Sequence, residues 1–269
     1  MLDNERLRLA VANVRAVFVE NVPVEKVCAE HLKFAENDLE SGSILIPRSS
    51  AAIVANVFGI FLEEPGLLPE FIEDLQIGPF MSVGLEHCAY FPWPKNHGSH
   101  PRLDVMIETA NYLVGIEAKR YEPFDERFCR VRNAPFSTAY WRPVWGDQMR
   151  PYEHIRDRLS TGHWTPSHLG AVQLVKHAFG LRTEAARRNK HPLLIYLMAE
   201  PNAWPDGTPI SEEARSNHVA EARSFAQEVD RSEVAFRSCT YREFLTEMRG
   251  SCSPKIRNHA DVIIGRFDI

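Results

Sequence analysis

The chain has 269 residues, of which 44% are hydrophobic and 25% charged, a globular composition with room for one large domain or a domain with a substantial extension. A net charge of −5 excludes a chain-wide attraction for nucleic acid, so local charge would have to supply any such binding. The five cysteines, Cys28, Cys88, Cys129, Cys239 and Cys252, form no CxxC pair and have no His at zinc-finger spacing, which argues against a disulfide framework or a zinc finger and fits a reducing cytoplasm.

The N-terminus, M-L-D-N-E-R-L-R-L-A, lacks the apolar core of a secretory signal. Residues 3 to 38 place Leu7, Val11, Val14, Val17 and Phe18, then Val27, Leu32 and Phe34, at helical spacing, which predicts two amphipathic helices broken at Asn21 to Pro23. They form a helical N-terminal extension, 1–45. After a Ser-Gly-Ser loop, Ala51 to Leu62 is apolar on every side, with Ser49 or Ser50 as N-cap, and predicts a buried helix. That run is too short to span a bilayer, so no membrane partner is expected. A short helix is expected near Glu70 to Leu75, a strand from Val83 to Phe91, and a loop from Trp93 to Pro101. The irregular spacing of His87, His97 and His100 favours loop histidines over a zinc site.

From Arg102 to Tyr121 the period changes to two. Leu103, Val105 and Ile107 alternate with Asp104, Met106 and Glu108; Val114, Ile116 and Ala118 alternate with Leu113, Gly115, Glu117 and Lys119. A turn centred between Ala110 and Asn111 sets Asp104 opposite Glu117, two carboxylates whose repulsion a divalent cation would relieve. Lys119 projects from the same face as Glu117.

Asp104 followed by Glu117-Ala118-Lys119 on such a hairpin resembles the PD-(D/E)xK nuclease superfamily, with Leu103 standing where the family name has Pro. Across roughly residues 50 to 200 the predicted order of helix, strand, hairpin, helix and strand is similar to that family's αβββαβ core. The resemblance implies an α/β, restriction-endonuclease-like fold, with a mixed central sheet flanked by helices. The core would occupy 46–205 and an α/β C-terminal extension packed on it 206–269. It also implies that Asp104, Glu117 and the Ala118 carbonyl hold Mg²⁺, for which Mn²⁺ substitutes, and that Lys119 activates water. Glu86 is a candidate additional ligand, with Glu36 and Glu40 behind it.

Downstream, Glu122 to Pro143 lacks a clean period and is expected to form a long functional loop. Between Lys119 and Arg158 nine Lys/Arg face six Asp/Glu, so positive charge is concentrated here. Arg120, Arg130, Arg132 and Arg142 are candidates for holding phosphates, and Trp141 for stacking on a base, against the plainer reading of core packing. Helices are predicted from Asp147 to Leu159 and from Thr165 to Arg188. They carry Gln148, Tyr152, Gln173 and Lys176, which face the site or form a wet surface; Gln148 and Tyr152 are similar to the QxxxY element of some superfamily members. His191 to Glu200 reads as a strand buried on both faces. Helices at 211–229, 240–249 and 254–265 and a strand at 233–239 complete the chain.

The absence of GxxxxGK[ST], GxGxxG and GxSxG removes nucleotide-cofactor and serine-hydrolase readings, leaving water as nucleophile. The expected function is metal-dependent phosphodiester hydrolysis, endonucleolytic and on DNA, in a cytoplasmic protein that could form a homodimer. The competing readings are a nuclease-like fold serving as a binding or scaffolding module, and an RNA-cleaving relative.

Overall fold

A computed structural model describes residues 4–33, 38–46, 49–72, 75–91, 100–125 and 136–269. The protein is α/β. Among the described residues five strands, β1 (Phe80–Cys88), β2 (Arg102–Thr109), β3 (Tyr112–Lys119), β4 (His191–Met198) and β5 (Ala235–Thr240), form one open mixed sheet in sequence order. The first three are antiparallel, and β3, β4 and β5 are parallel. The helices are α1 (Asn4–Val14), α2 (Val24–His31), α3 (Asp38–Ser41), α4 (Ser50–Gly59), α5 (Arg150–Ser160), α6 (Ala171–Arg188), α7 (Glu212–Glu228), α8 (Tyr241–Gly250) and α9 (Pro254–Phe267). None of the described helices is long and apolar enough to cross a membrane.

The hairpin has the register expected from its turn, with Ile107 opposite Val114 and Val105 opposite Ile116. Alternation then breaks. Val105 and Ile107 pack on one face of the sheet, whereas Leu103 joins Met106 in the cluster on the other. The break falls at Asp104, beside Glu86 of β1, whose φ of 53° is left-handed for a non-glycine residue. Gly115 makes the close packing there feasible, since a Cβ would lie 2.8 Å from Leu103 and 3.3 Å from Leu181.

Helix α4 begins where sequence suggested. The Ser49 side chain accepts the Ala51 amide at 3.2 Å, and the helix is buried from Ala51 to Gly59 because no side of it is polar enough to face water. It lies on the sheet among Val105, Ile107, Val114 and Ile116. Asn56, the polar residue in this apolar run, is satisfied: its amide group donates to Ala52 O at 2.8 Å and Val17 O at 3.3 Å, and its oxygen accepts the Val19 amide at 2.8 Å. Those bonds tie the N-terminal segment to the core.

On the opposite face, α5, α6 and α7 enclose Phe179, Tyr152, Phe225 and Trp145. Strand β4 feeds both cores, Leu193, Ile195 and Leu197 into one and Leu194, Tyr196 and Met198 into the other, as its continuous apolar run predicted. The C-terminal segment supplies the edge strand β5 of the same sheet. Three expectations shift. The strand expected from Val83 to Phe91 runs three residues earlier, Phe80–Cys88. The helix expected from Thr165 starts at Ala171, because the Glu221 carboxylate accepts the amides of Ser167, His168 and Leu169 at 2.7 to 2.8 Å and holds that segment as a loop. No helix appears near Glu70 among the described residues; the Glu70 carboxylate instead accepts the Ile77 and Gly78 amides.

Candidate active site at the open end of the hairpin

The ends of β2 and β3 away from their turn border a cavity of about 330 Å³. Asp104 and Lys119 line it with Ser49, Ser50 and Ala51 at the start of α4, Asp38 of α3 and Gln173 of α6. One carboxylate holds this arrangement together. Glu122 accepts the Ser50 amide and the Arg120 amide, each at 2.8 Å, and so joins the start of α4 to the end of β3.

Asp104 is half-buried at the cavity wall, and its Oδ2 accepts the Ala118 amide at 2.7 Å. Burial first, and then the neighbouring Glu117 carboxylate, push its carboxyl up to about 8. Glu117 lies behind, 1% exposed. Its Oε1 accepts from the Lys119 ammonium, which also donates to Ala118 O at 3.0 Å, and its Oε2 is 3.2 Å from His177 Nδ1 on α6. On an exposed strand a Lys119–Glu117 pair would be energetically minor and would say nothing of catalysis. The pair exists, but it is buried, where losing one partner is costly.

Glu86 is buried with its carboxylate 3.5 Å from Arg102. Burial first, then Asp38 and Asp104, push it up to about 9. Of the acids considered near it, Glu40 pairs with Arg6, Glu36 lies outside the described residues, and it is Asp38, between them in sequence, that reaches the site.

No family model, curated protein or solved structure matches the chain.

The other proposed site residues divide. Gln173 lines the cavity. Lys176, about 100° around α6 from His177, instead places its ammonium 5.6 Å from the Phe136 ring centre and 6.0 Å from that of Tyr140. Tyr152 is fully buried between α5 and the sheet, with its hydroxyl donating to Val234 O at 3.2 Å, and Gln148 is exposed; neither lines the cavity. Arg120 is drawn into the C-terminal packing: its guanidinium donates to Phe267 O and lies over the Tyr121 and Phe267 rings. Trp141 is half-exposed beneath the Arg156 guanidinium, and Arg142 is partly exposed beyond it; both are outside the cavity lining. Arg130 and Arg132 lie outside the described residues.

Sequence reasoning missed His177, Asp38, and a larger neighbouring cavity of about 880 Å³ lined by Arg242 and Arg266 as well as Arg120. Tyr121 and Trp204 line both cavities and stack on each other, 5.5 Å between centres and 18° apart. His177 had a detectable signal, since it follows Gln173 by four residues and so shares its helix face. Arg242 and Arg266 had none, because each sits on a helix whose other face is what sequence periodicity reports.

Proposed function

We propose that this cavity is the active centre of a divalent-metal-dependent phosphodiesterase of the PD-(D/E)xK type, an endonuclease with a restriction-endonuclease-like core that acts on DNA. The observation that carries the reading is the meeting of Asp104 and Lys119 at one cavity with Glu117 buried behind them, paired to Lys119 and close enough to raise the proton affinity of Asp104. The order α4, β1, β2, β3, α6, β4 supports it, with α5 inserted before α6.

The donor set suits a hard cation. Asp104, Glu117 and the Ala118 carbonyl would hold Mg²⁺ or Mn²⁺, since all three offer oxygen. When bound, the ion supplies Lewis-acid polarisation of the phosphoryl group and acidifies a coordinated water. The Lys119 ammonium donates to two of those oxygens, Glu117 Oε1 and Ala118 O, and so sits beside the position the ion would take. From the cavity wall Lys119 would hydrogen-bond the attacking water and offset the negative charge that develops on the phosphate. His177 and the Ala118 amide fix the orientation of the two carboxylates, a supporting layer of the kind metal ligands need. Arg242 and Arg266 of the neighbouring cavity suit backbone phosphates, and the Tyr121–Trp204 pair suits an unstacked base.

The test is cleavage of plasmid, single-stranded DNA and RNA with Mg²⁺ or Mn²⁺ by wild type, Asp104→Asn and Lys119→Ala. Metal-dependent cleavage of DNA by wild type alone is the expected result, together with thermal stabilisation by Mg²⁺ that Asp104→Asn abolishes. Cleavage of RNA alone would change the substrate. Binding of DNA with no cleavage by wild type would favour a binding module.

A further inference from the structure

Beside the oxygen-lined site lies a cluster of different chemistry. His31 ends α2, Asp38 begins α3 and Glu86 sits in β1, and one ligand atom from each falls within 4.8 Å of the other two. Ligands about 2.0–2.2 Å from a tetrahedral ion stand about 3.3–3.6 Å apart, so side-chain movements of about an ångström or less would close the cluster around one. His31 is a separate pointer: it is 2% exposed, yet among the described residues neither ring nitrogen has a hydrogen-bond partner. Buried imidazoles without partners are uncommon, and metal ligation is one arrangement that satisfies them. Glu86, in turn, holds a left-handed φ of 53° inside a strand, a conformation that persists only where its surroundings impose it.

The geometry points to a second metal site, in which His31, Asp38 and Glu86 bind one transition-metal dication, Zn²⁺ in preference to Mg²⁺, and thereby clamp α2 and α3 onto β1. An imidazole among carboxylates selects a borderline cation, whereas Mg²⁺ favours oxygen alone. The site is also placed to brace the catalytic one, because Asp38 belongs to the wall of the cavity that contains Asp104 and Lys119. Its existence does not depend on what the neighbouring site cuts.

The test uses the full chain carrying Asp104→Asn, which removes the oxygen-only site, and measures Zn²⁺ by equilibrium dialysis, thermal unfolding and the visible absorption of a Co²⁺ substitute. One Zn²⁺ per chain is expected, with a rise in Tm that Mg²⁺ does not reproduce and a Co²⁺ spectrum of nitrogen and oxygen ligation without thiolate bands. Adding His31→Ala should weaken binding by more than the roughly 10–100-fold typical of losing an outer-shell partner. Asp38→Asn should do the same, and because Asp38 is only partly buried this variant guards against a folding artefact. Zn²⁺ affinity unchanged by both substitutions, or no Zn²⁺ bound by the Asp104→Asn chain, would overturn the site and leave a proton-sharing carboxyl pair beside a buried imidazole. No readout uses cleavage, so a failed nuclease assay leaves the result standing.

Discussion

The two ends of the β2–β3 hairpin carry similar charges in opposite settings. At the turn, Glu108 is partly exposed, 2.8 Å from Arg188 and 3.6 Å from Lys190, while Lys190 also donates to the Thr109 and Ala110 carbonyls at 2.6 and 2.7 Å. Water screens these pairs, and each contributes little. At the open end, some five residues along the same strands, Glu117 and Lys119 are buried together, and burial first and then the Glu117 carboxylate push the Asp104 carboxyl up. Burying those groups opposes folding, and packing alone would be served better by apolar side chains. The contrast is what singles out the open end as the candidate site: the fold tolerates costly charge at one end of a hairpin whose other end shows how the same residue types are accommodated cheaply.

The sharpest way to break the comparison is Lys119→Ala. Cleavage should fall by roughly 10²–10³-fold, the range for removing a transition-state electrostatic group. The metal-free protein should also lose about 3–5 kcal/mol in urea unfolding, because Glu117 is left buried without its ammonium partner. Adding Glu117→Gln should recover much of that stability and none of the activity. Unaltered stability in the single variant would mean that the open end is no more costly than the turn.

Next in size is the response to pH. The folded chain holds a proton on Asp104 up to about 8, whereas the unfolded chain releases it near its ordinary 3.8. Metal-free stability therefore declines as pH rises between those values. Glu86, held up to about 9, adds to the decline. His31 and His218, lowered by burial to about 4 and 3, act the other way, but only below their unfolded value of 6.5. Unfolding between pH 6.5 and 8 isolates the carboxylates. Asp104→Asn should flatten the slope there and stabilise the metal-free chain at pH 8, on the order of 2 kcal/mol, while abolishing cleavage. A slope equal to that of wild type would show that Asp104 ionises normally.

Between the two ends, Gly115→Ala should cost about 1–3 kcal/mol, since its Cβ would press on Leu103 and Leu181. Because Leu103 adjoins Asp104, cleavage should fall with it, checked on protein shown to be folded by circular dichroism. Least affected should be Glu108→Gln at the turn, within about 1 kcal/mol of wild type and with full activity. A larger loss there would erase the distinction between the ends.

The strands, the hairpin register and the burial of α4 were legible in the amino-acid sequence, because each follows from local periodicity: a period of two across Leu103–Lys119, apolar residues all round Ala51–Gly59, and a turn that sets which residues face each other. Asp104, Glu117 and Lys119 were candidates for the same reason, being close in sequence once the turn is placed. What periodicity cannot encode is which distant element reaches the strand ends. His177 meets Glu117, and Asp38 rather than Glu36 or Glu40 reaches the cavity, because α6 and α3 pack at particular positions along the sheet. Arg120 looked available for phosphates, but the docking of α9 gave it Phe267 to bind. Tyr152 had a suggestive spacing from Gln148, yet α5 turns that tyrosine into the core. Sequence alone thus determined the faces of the elements except at the Asp104 break, where Leu103 changes sides; tertiary structure decided which faces meet, since that depends on side-chain volumes summed over the whole core.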